Sequence, residues 1–521
     1  MHNAYPKTEE FIDRFIPYMY PAGQCFIAAS AGFLPLDFNK EFHFIDLGCG
    51  RAKTLMVLAW LYPRAKFYGV DFNEKSIAFA KEKAKELNLK NLQFINTSFE
   101  KLIQLNNLPS FDFVSMAGLY TWLSPSARES VRRFVEKKLK RNGILYLEFT
   151  AIPGAVNSAI FWKFIREIVP KDIGDSKRIE KTLELFEMFI NRPTKYLIFH
   201  SGVKAVVSNY LHNREEQSKH LLHNVLPEYA FPMYFFEIYD DFAKTGVKFA
   251  GRMDLEQNDP ELSLFPSHVP TYLRFKKDVR IRETMVDFIL NIGEHHDVWV
   301  KEGEIKEEES LEYLNKRFFL LPRQKPERLR KTILLPGGHR FPLTGDIFEP
   351  FYGNKEAPIR IGDHPLFKEN PEAVKKAFYK VAASGEFFIG CFEDKLRDLK
   401  ETYEELPEKF TISSVNRYLL ESSFELLIGC QLVSEVTGGV AISLSALEVV
   451  LFYFALKDGK KKALNSALEY LHSLNNKTLH VDGEEKVAKD IQLEDLEKAF
   501  DALFKGRKAF NLNRLNIVLP S

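Results

Sequence analysis

Between residues 43 and 149, short apolar runs alternate with longer stretches in which apolar residues recur every three or four positions. HFIDL (43–47), KFYGVD (Lys66–Asp71), LQFIN (92–96), FDFVS (111–115) and ILYLEF (144–149) predict five strands. KTLMVLAWLYP (53–63) and NEKSIAFAKEKAKELN (73–88) predict helices. In the second, Ile77, Ala80, Ala84 and Leu87 share one face, and Asn73 is placed to cap the first turn. An Asn142-Gly143 turn leads into the fifth strand. Alternation on this scale predicts an α/β fold, a mainly parallel sheet with right-handed crossovers and helices on both faces. Such sheets bind ligands beyond the carboxyl ends of their strands, so the residues just after each strand are the candidates for chemistry.

Downstream, residues 153–330 read as helices with polar connections, and 333–370 as an irregular, Pro-, Gly- and aromatic-rich connection. The rest, to 521, reads as mostly helical with lysine-rich faces. We therefore divide the chain into an N-terminal cap segment (1–40), an α/β core (41–160), a helical domain (161–330) and a C-terminal, mostly helical domain (331–521). A length of 521 residues is too great for one core and agrees with several domains. The run from Val440 approaches membrane-span length, but Glu448 interrupts it, and Ser445 with Glu448 forms a capping-box pattern. It predicts a short buried helix from Ala446 to about Asp458, and no membrane span.

A net charge of +1 argues against a dedicated nucleic-acid binder. The four cysteines, Cys25, Cys49, Cys391 and Cys430, form no CxxC pair, and the chain opens without a basic-then-apolar leader pattern. Both features predict a reducing, cytoplasmic location. His295-His296-Asp297 has no third ligand at a recognisable spacing, so we read a solvated loop and expect no metal site.

The first strand runs into FIDLGCGRAKTL, residues 44–55. A dinucleotide fingerprint needs a third glycine at 53, where Lys53 stands. The pattern Asp46, Gly48, Gly50, Ala52 instead resembles motif I of class I S-adenosylmethionine (SAM) methyltransferases. Glycines there let the backbone approach a ligand, and the following helix start offers amides. The resemblance implies SAM as cofactor, held by Asp46, Gly48, Gly50, Asp71, Phe72, Ser98, Phe99 and Gly118. In that family the acid ending the second strand, here Asp71, holds the ribose hydroxyls. Ser98 and Phe99 stand where an acid and an apolar residue usually meet the adenine. A nicotinamide-cofactor site and a ligandless turn remain the alternatives.

Residues 111–154, with Phe111, Asp112, Gly118, Tyr120, Trp122, Pro153 and Gly154 at matched positions, resemble one branch of these enzymes. HLLHNVLPEYAFPMYFFEIYDDFAKTGVKFAG (220–251) and ETMVDFILN (Glu283–Asn291) resemble the methyltransferase regulatory domain that accompanies it. The branch includes bacterial protein-lysine methyltransferases of surface proteins. The resemblance implies a protein substrate, a lysine acceptor and a homodimer. Tyr120, Trp122 and Phe149 lie just beyond the fourth and fifth strands, where the walls of an aromatic acceptor channel are expected, with Tyr120 or Thr150 orienting the amine. Alternation points Glu148 to the face opposite Phe149. We thus take Tyr120, Trp122 and Thr150 as the catalytic candidates. Aromatic walls attract a cationic amine, and their low dielectric favours its neutral form.

Departures from the family pattern sit at Ala52, Lys53, Thr54, Ser98, Ala117 and Thr150. They keep two further readings open, a small-molecule methyltransferase and a scaffold that no longer catalyses. Lys53 is expected either to pair with the cofactor's carboxylate or to obstruct the pocket.

Overall fold

A seven-stranded sheet organises the chain, in the order β3-β2-β1-β4-β5-β7-β6. The strands are β1 (His43–Leu47), β2 (Lys66–Asp71), β3 (Leu92–Asn96), β4 (Phe111–Met116), β5 (Leu139–Thr150), β6 (Val247–Arg252) and β7 (Glu294–Lys301). The computed structural model describes residues 14–192, 194–212, 214–335, 338–353, 356–474, 477–481 and 484–520. Residues 1–13 of the expected cap segment lie outside the described residues.

The first five strands pair in parallel, as the alternation predicts. Helices α2 (Lys53–Leu61) and α3 (Glu74–Glu86) carry the crossovers. Asn73 caps α3 by accepting from the Ser76 amide at 3.1 Å. Asn142-Gly143 does not precede β5 but bends it. Leu139 already pairs with Phe111, and Ile144 next pairs with Phe113 across a register shift, with Asn142 at a φ of 59°.

The purely helical reading of 153–330 gives way here. Residues 247–252 and 294–301 are strands β6 and β7, and β7 runs antiparallel to both β5 and β6. Their apolar positions are too few, and too mixed with His, Asp and Gly, for alternation to reveal them. His295-His296-Asp297 therefore belongs to β7 and not to a solvated loop. His295 and Asp297 are fully buried.

Their burial is made possible by a charge network. Asp287, on the helix Val279–Leu290, accepts from Arg252 Nη2 and from His295 Nε2, each at 2.9 Å. Arg252 also reaches Glu283 at 3.1 Å, and His295 Nδ1 meets Asp297 at 3.0 Å. Burial and the Arg252 guanidinium oppose protonation of His295. The carboxylates of Asp297 and Asp287 outweigh them, raising its pKa to about 9. The network ties the helix 279–290 to the outer strands.

Three cores result. One face of the sheet, helix α1 (Pro21–Ser30) and the C-terminal region share the largest, in which Phe26 meets Phe318 edge-on at 5.2 Å. The opposite face is covered by helices Pro125–Lys138 and Phe235–Ala243. Between β5 and β6 the chain builds helices with a core of their own around Phe161, Trp162, Phe186 and Tyr210.

The C-terminal region is mostly helical, with small two-stranded sheets such as Cys430–Ser434 against Gly439–Leu444. Ser445 and Glu448 form the expected capping box on the buried helix Ala446–Asp458. Among the described residues no helix is long and apolar enough to cross a membrane.

Candidate functional site

Beyond the carboxyl ends of β1, β4 and β5 lies an open cleft. The β1 turn forms its floor: the Gly48 and Cys49 amides donate to the Val70 carbonyl at 2.8 and 3.0 Å, fixing the turn to the end of β2. Gly48 has a φ of +87°, and a Cβ there would stand 2.4 Å from Leu119 Cδ2, so only glycine fits. Above Gly50, a Cβ would meet no atom within 4 Å, which leaves open space over the turn.

Asp71, at the end of β2, accepts from the Gly50 amide at 2.9 Å and from the Asn73 amide at 2.8 Å, one bond to each carboxylate oxygen. The carboxylate thus holds the turn while keeping acceptor capacity toward the cleft. Burial raises its pKa, and the amide bonds of Asn73, Gly50 and Phe72 counter that effect. Phe99 approaches the turn to 4.0 Å of a Cβ position on Gly48. Ser98 precedes it at the start of the one-turn helix Phe99–Leu102, and Phe72 lies exposed after β2.

Gly118 brings the loop after β4 to the far side of the cleft. A Cβ there would lie 3.0 Å from Glu148 Oε1 and 3.2 Å from Arg14 Nη2. Asp46 and Glu148 are both buried, and Asp46 is raised to about 8 by burial and by the charges of Asp71 and Glu148. Asp46 is therefore largely protonated at neutral pH in the free protein.

Trp122 also lines the cleft, and its indole Nε1 donates to the His223 carbonyl at 2.9 Å. His223 and Asn224, from the helices inserted between β5 and β6, close that side. Tyr120 lies behind it, fully buried. Its hydroxyl donates to Asp241 Oδ2 at 2.8 Å, and its ring rests on Phe242 with centroids 5.0 Å apart. Thr150 ends β5 beside Glu294 of β7, and its carbonyl accepts from the Met233 amide at 3.0 Å.

Strand alternation separates Glu148 from Phe149. Phe149, expected as a channel wall, is in the opposite core and stacks on His295 at 4.5 Å, while Glu148 faces the cleft. Lys53 turns toward the C-terminal region, its Nζ 5.4 Å from the Tyr418 ring centroid. It thus leaves the space over Gly50 open.

Residues 38–160 match a family described as a methyltransferase domain, and 217–301 match one described as a predicted methyltransferase regulatory domain. The structure of PKMT2 from Rickettsia typhi, also solved in complex with AdoHcy, has the same fold. It aligns with a TM-score of 0.61 and 17% identity over 98% of this chain and 100% of that one. Residues 38–160 are a class I, SAM-dependent methyltransferase domain.

An uncharacterized protein of Synechocystis sp. is 28% identical over 269 residues, 51% of this chain and 52% of its own. A tRNA (guanine-N(7)-)-methyltransferase of Rubrobacter xylanophilus is 39% identical over 61 residues, 12% of this chain and 27% of its own. The chain thus spans about half the length of the first of these relatives.

For this methyltransferase domain the glycine turn, with open space above Gly50 and an acid at Asp71, is a cradle that fits SAM. Of the residues singled out from sequence, Asp46, Gly48, Gly50, Gly118 and Trp122 meet in the cleft. Asp71 backs the turn, and Phe99 stands against it with Ser98 and Phe72 nearby in sequence. Tyr120 and Thr150 are placed outside. Glu148, expected on the strand face opposite Phe149, and His223 also line the cleft, as do Arg14 and Glu294, which no sequence signal marks. The alternation that separates Glu148 from Phe149 is the signal that places this carboxylate on the cleft face.

The protonated state of Asp46 makes a prediction. Ionised Asp46 holds a cationic ligand better, so binding of S-adenosylhomocysteine, with its ammonium, strengthens as pH rises toward about 8 and levels off above it. Titrations from pH 6 to 8.5 check this; in Asp46→Asn the rise disappears.

Proposed function

We propose that this protein transfers a methyl group from SAM to the side-chain amine of a lysine in a protein, with Asp71 and the turn Gly48–Gly50 holding the cofactor. The observation that carries the acceptor reading is the wall opposite the turn, where two carboxylates, Glu148 and Glu294, stand with the Trp122 indole. Carboxylates and an indole suit a primary ammonium, through charge and through the ring quadrupole. The matched regulatory domain and the fold shared with PKMT2 along nearly the whole chain support the same reading.

Bound SAM supplies an electrophilic methyl group on a sulfonium. The chain's residues align the acceptor with it, and a held geometry contributes several kcal/mol to such a displacement. The arriving ammonium must lose a proton before its lone pair can form the new N–C bond. Burial raises the proton affinity of the Glu148 carboxylate, so Glu148 first pairs with the ammonium and then takes up the proton it releases, leaving the neutral amine beside the Trp122 indole.

The test is transfer of labelled methyl from SAM in a bacterial extract, followed by acid hydrolysis of the protein fraction. Label in methylated lysine is the expected result. Label confined to small molecules or to RNA assigns a different acceptor, and no label beside intact SAM binding overturns the catalytic reading.

A further inference from the structure

Arg14 precedes the short turn Pro17–Met19 and lines the cleft with its side chain half exposed. The Ile16 amide anchors this stretch by donating to Thr54 Oγ1 at 2.9 Å, near the start of α2. From there the Arg14 guanidinium reaches in and pairs with Glu148 Oε1. The two partners are unequal: the Glu148 side chain is 2% exposed, whereas that of Arg14 is 48% exposed.

A buried carboxylate in a ligand cleft with its principal cation held from the solvent side is a cation site with a removable occupant. Of the cations near Glu148, Arg14 acts most strongly on its carboxylate, and His296, paired opposite it on β7, acts more weakly. Tyr146 donates its hydroxyl to Oε2 at 3.4 Å, Glu294 adds negative charge at the rim, and His296 is engaged by Asp254 at 2.8 Å. Gly118 leaves no side chain between this pair and the cleft, since a Cβ there would press on both Glu148 and Arg14.

We propose that Glu148 receives the ammonium of the substrate lysine and that Arg14 occupies this position until the substrate displaces it. The proposal deepens the lysine reading above and rests on it. Arg14 is then a built-in stand-in for the substrate's cation, and Glu148 contacts the substrate directly. The groove beside the cleft fits this exchange. It is lined by Arg14 and Lys53 together with Leu419, Leu426, Ile428 and Gln431 of the C-terminal region, so Arg14 stands where cleft and groove meet. A chain lying in that groove reaches Glu148 by moving Arg14 aside.

The experiment measures binding of n-butylammonium, a bare lysine side chain, to the full-length protein saturated with S-adenosylhomocysteine, by calorimetric titration. Arg14→Gln is expected to bind it about tenfold more tightly than the wild type, because the internal competitor is gone, and Glu148→Gln about tenfold more weakly or not at all. Binding of S-adenosylhomocysteine itself reports that the cleft of each variant is folded. Lysine methylation adds a second readout: Arg14→Gln lowers KM for the protein substrate more than it changes kcat.

Equal n-butylammonium binding in all three proteins overturns the proposal. So does lysine methylation whose KM is the same in Glu148→Gln and wild type, an outcome that leaves the lysine reading intact. Strengthened binding in Arg14→Gln with no methylation of any protein keeps the cation site and overturns the lysine reading instead.

Discussion

Asp287→Ala opens the outer edge of the sheet. Two buried cations, Arg252 and His295, both donate to this carboxylate, and all three side chains are at most 1% exposed. Removing a partner from a buried ion pair costs about 3–5 kcal/mol, because the remaining charge has no solvent to turn to. Glu283 still meets Arg252 and Asp297 still meets His295, so the loss concentrates where Asp287 bridged them. The measurement is amide hydrogen exchange along β6 and β7, which reports local opening in a protein of several cores. The variant should exchange there at least a hundredfold faster, with β1 and β2 far less affected.

The same network sets a pH dependence. His295 has a folded pKa of about 9, raised from an ordinary value of 6.5. Its contribution is fully present below about 6.5 and is lost as pH rises through 9. Protection of β7 should therefore decline between neutral and alkaline pH in the wild type and decline less in His295→Gln. Unchanged exchange in Asp287→Ala would show that the network is not what holds these strands.

Asp71→Ala is the second large effect, and it falls on the cofactor. The variant removes the acceptor for the Gly50 and Asn73 amides and the two oxygens we assign to the ribose hydroxyls. Hydrogen bonds to a charged group contribute about 1.5–3 kcal/mol each, so two of them correspond to roughly a hundred- to ten-thousandfold in affinity. Calorimetric titration with S-adenosylhomocysteine reads this directly. Asp71→Asn keeps one acceptor and the shape, and should fall between. An Asp71→Ala protein with wild-type affinity would remove Asp71 from the site.

The first five strands, their order of alternation with helices, the glycine turn and the acid after β2 were legible because they are local. Each is a short run whose period or spacing carries its own signal. β6 and β7 were not, since neither alternates cleanly. Their place in the sheet depends on a network joining Arg252, Glu283, Asp287 and His295, which no local pattern displays. Tyr120 shows the same limit from the other side. Its position after β4 is that of a pocket residue, yet Asp241 and Phe242, over a hundred residues downstream, draw it into the opposite core. Arg14 carries no pattern at all, and only the folded chain sets it against Glu148.

The most direct measurement is calorimetric titration of the wild-type protein with S-adenosylhomocysteine. A fitting cradle over Gly50 predicts one site per chain with micromolar affinity. No heat of binding at millimolar ligand would contradict the account at its centre, because it would leave the cleft without its cofactor.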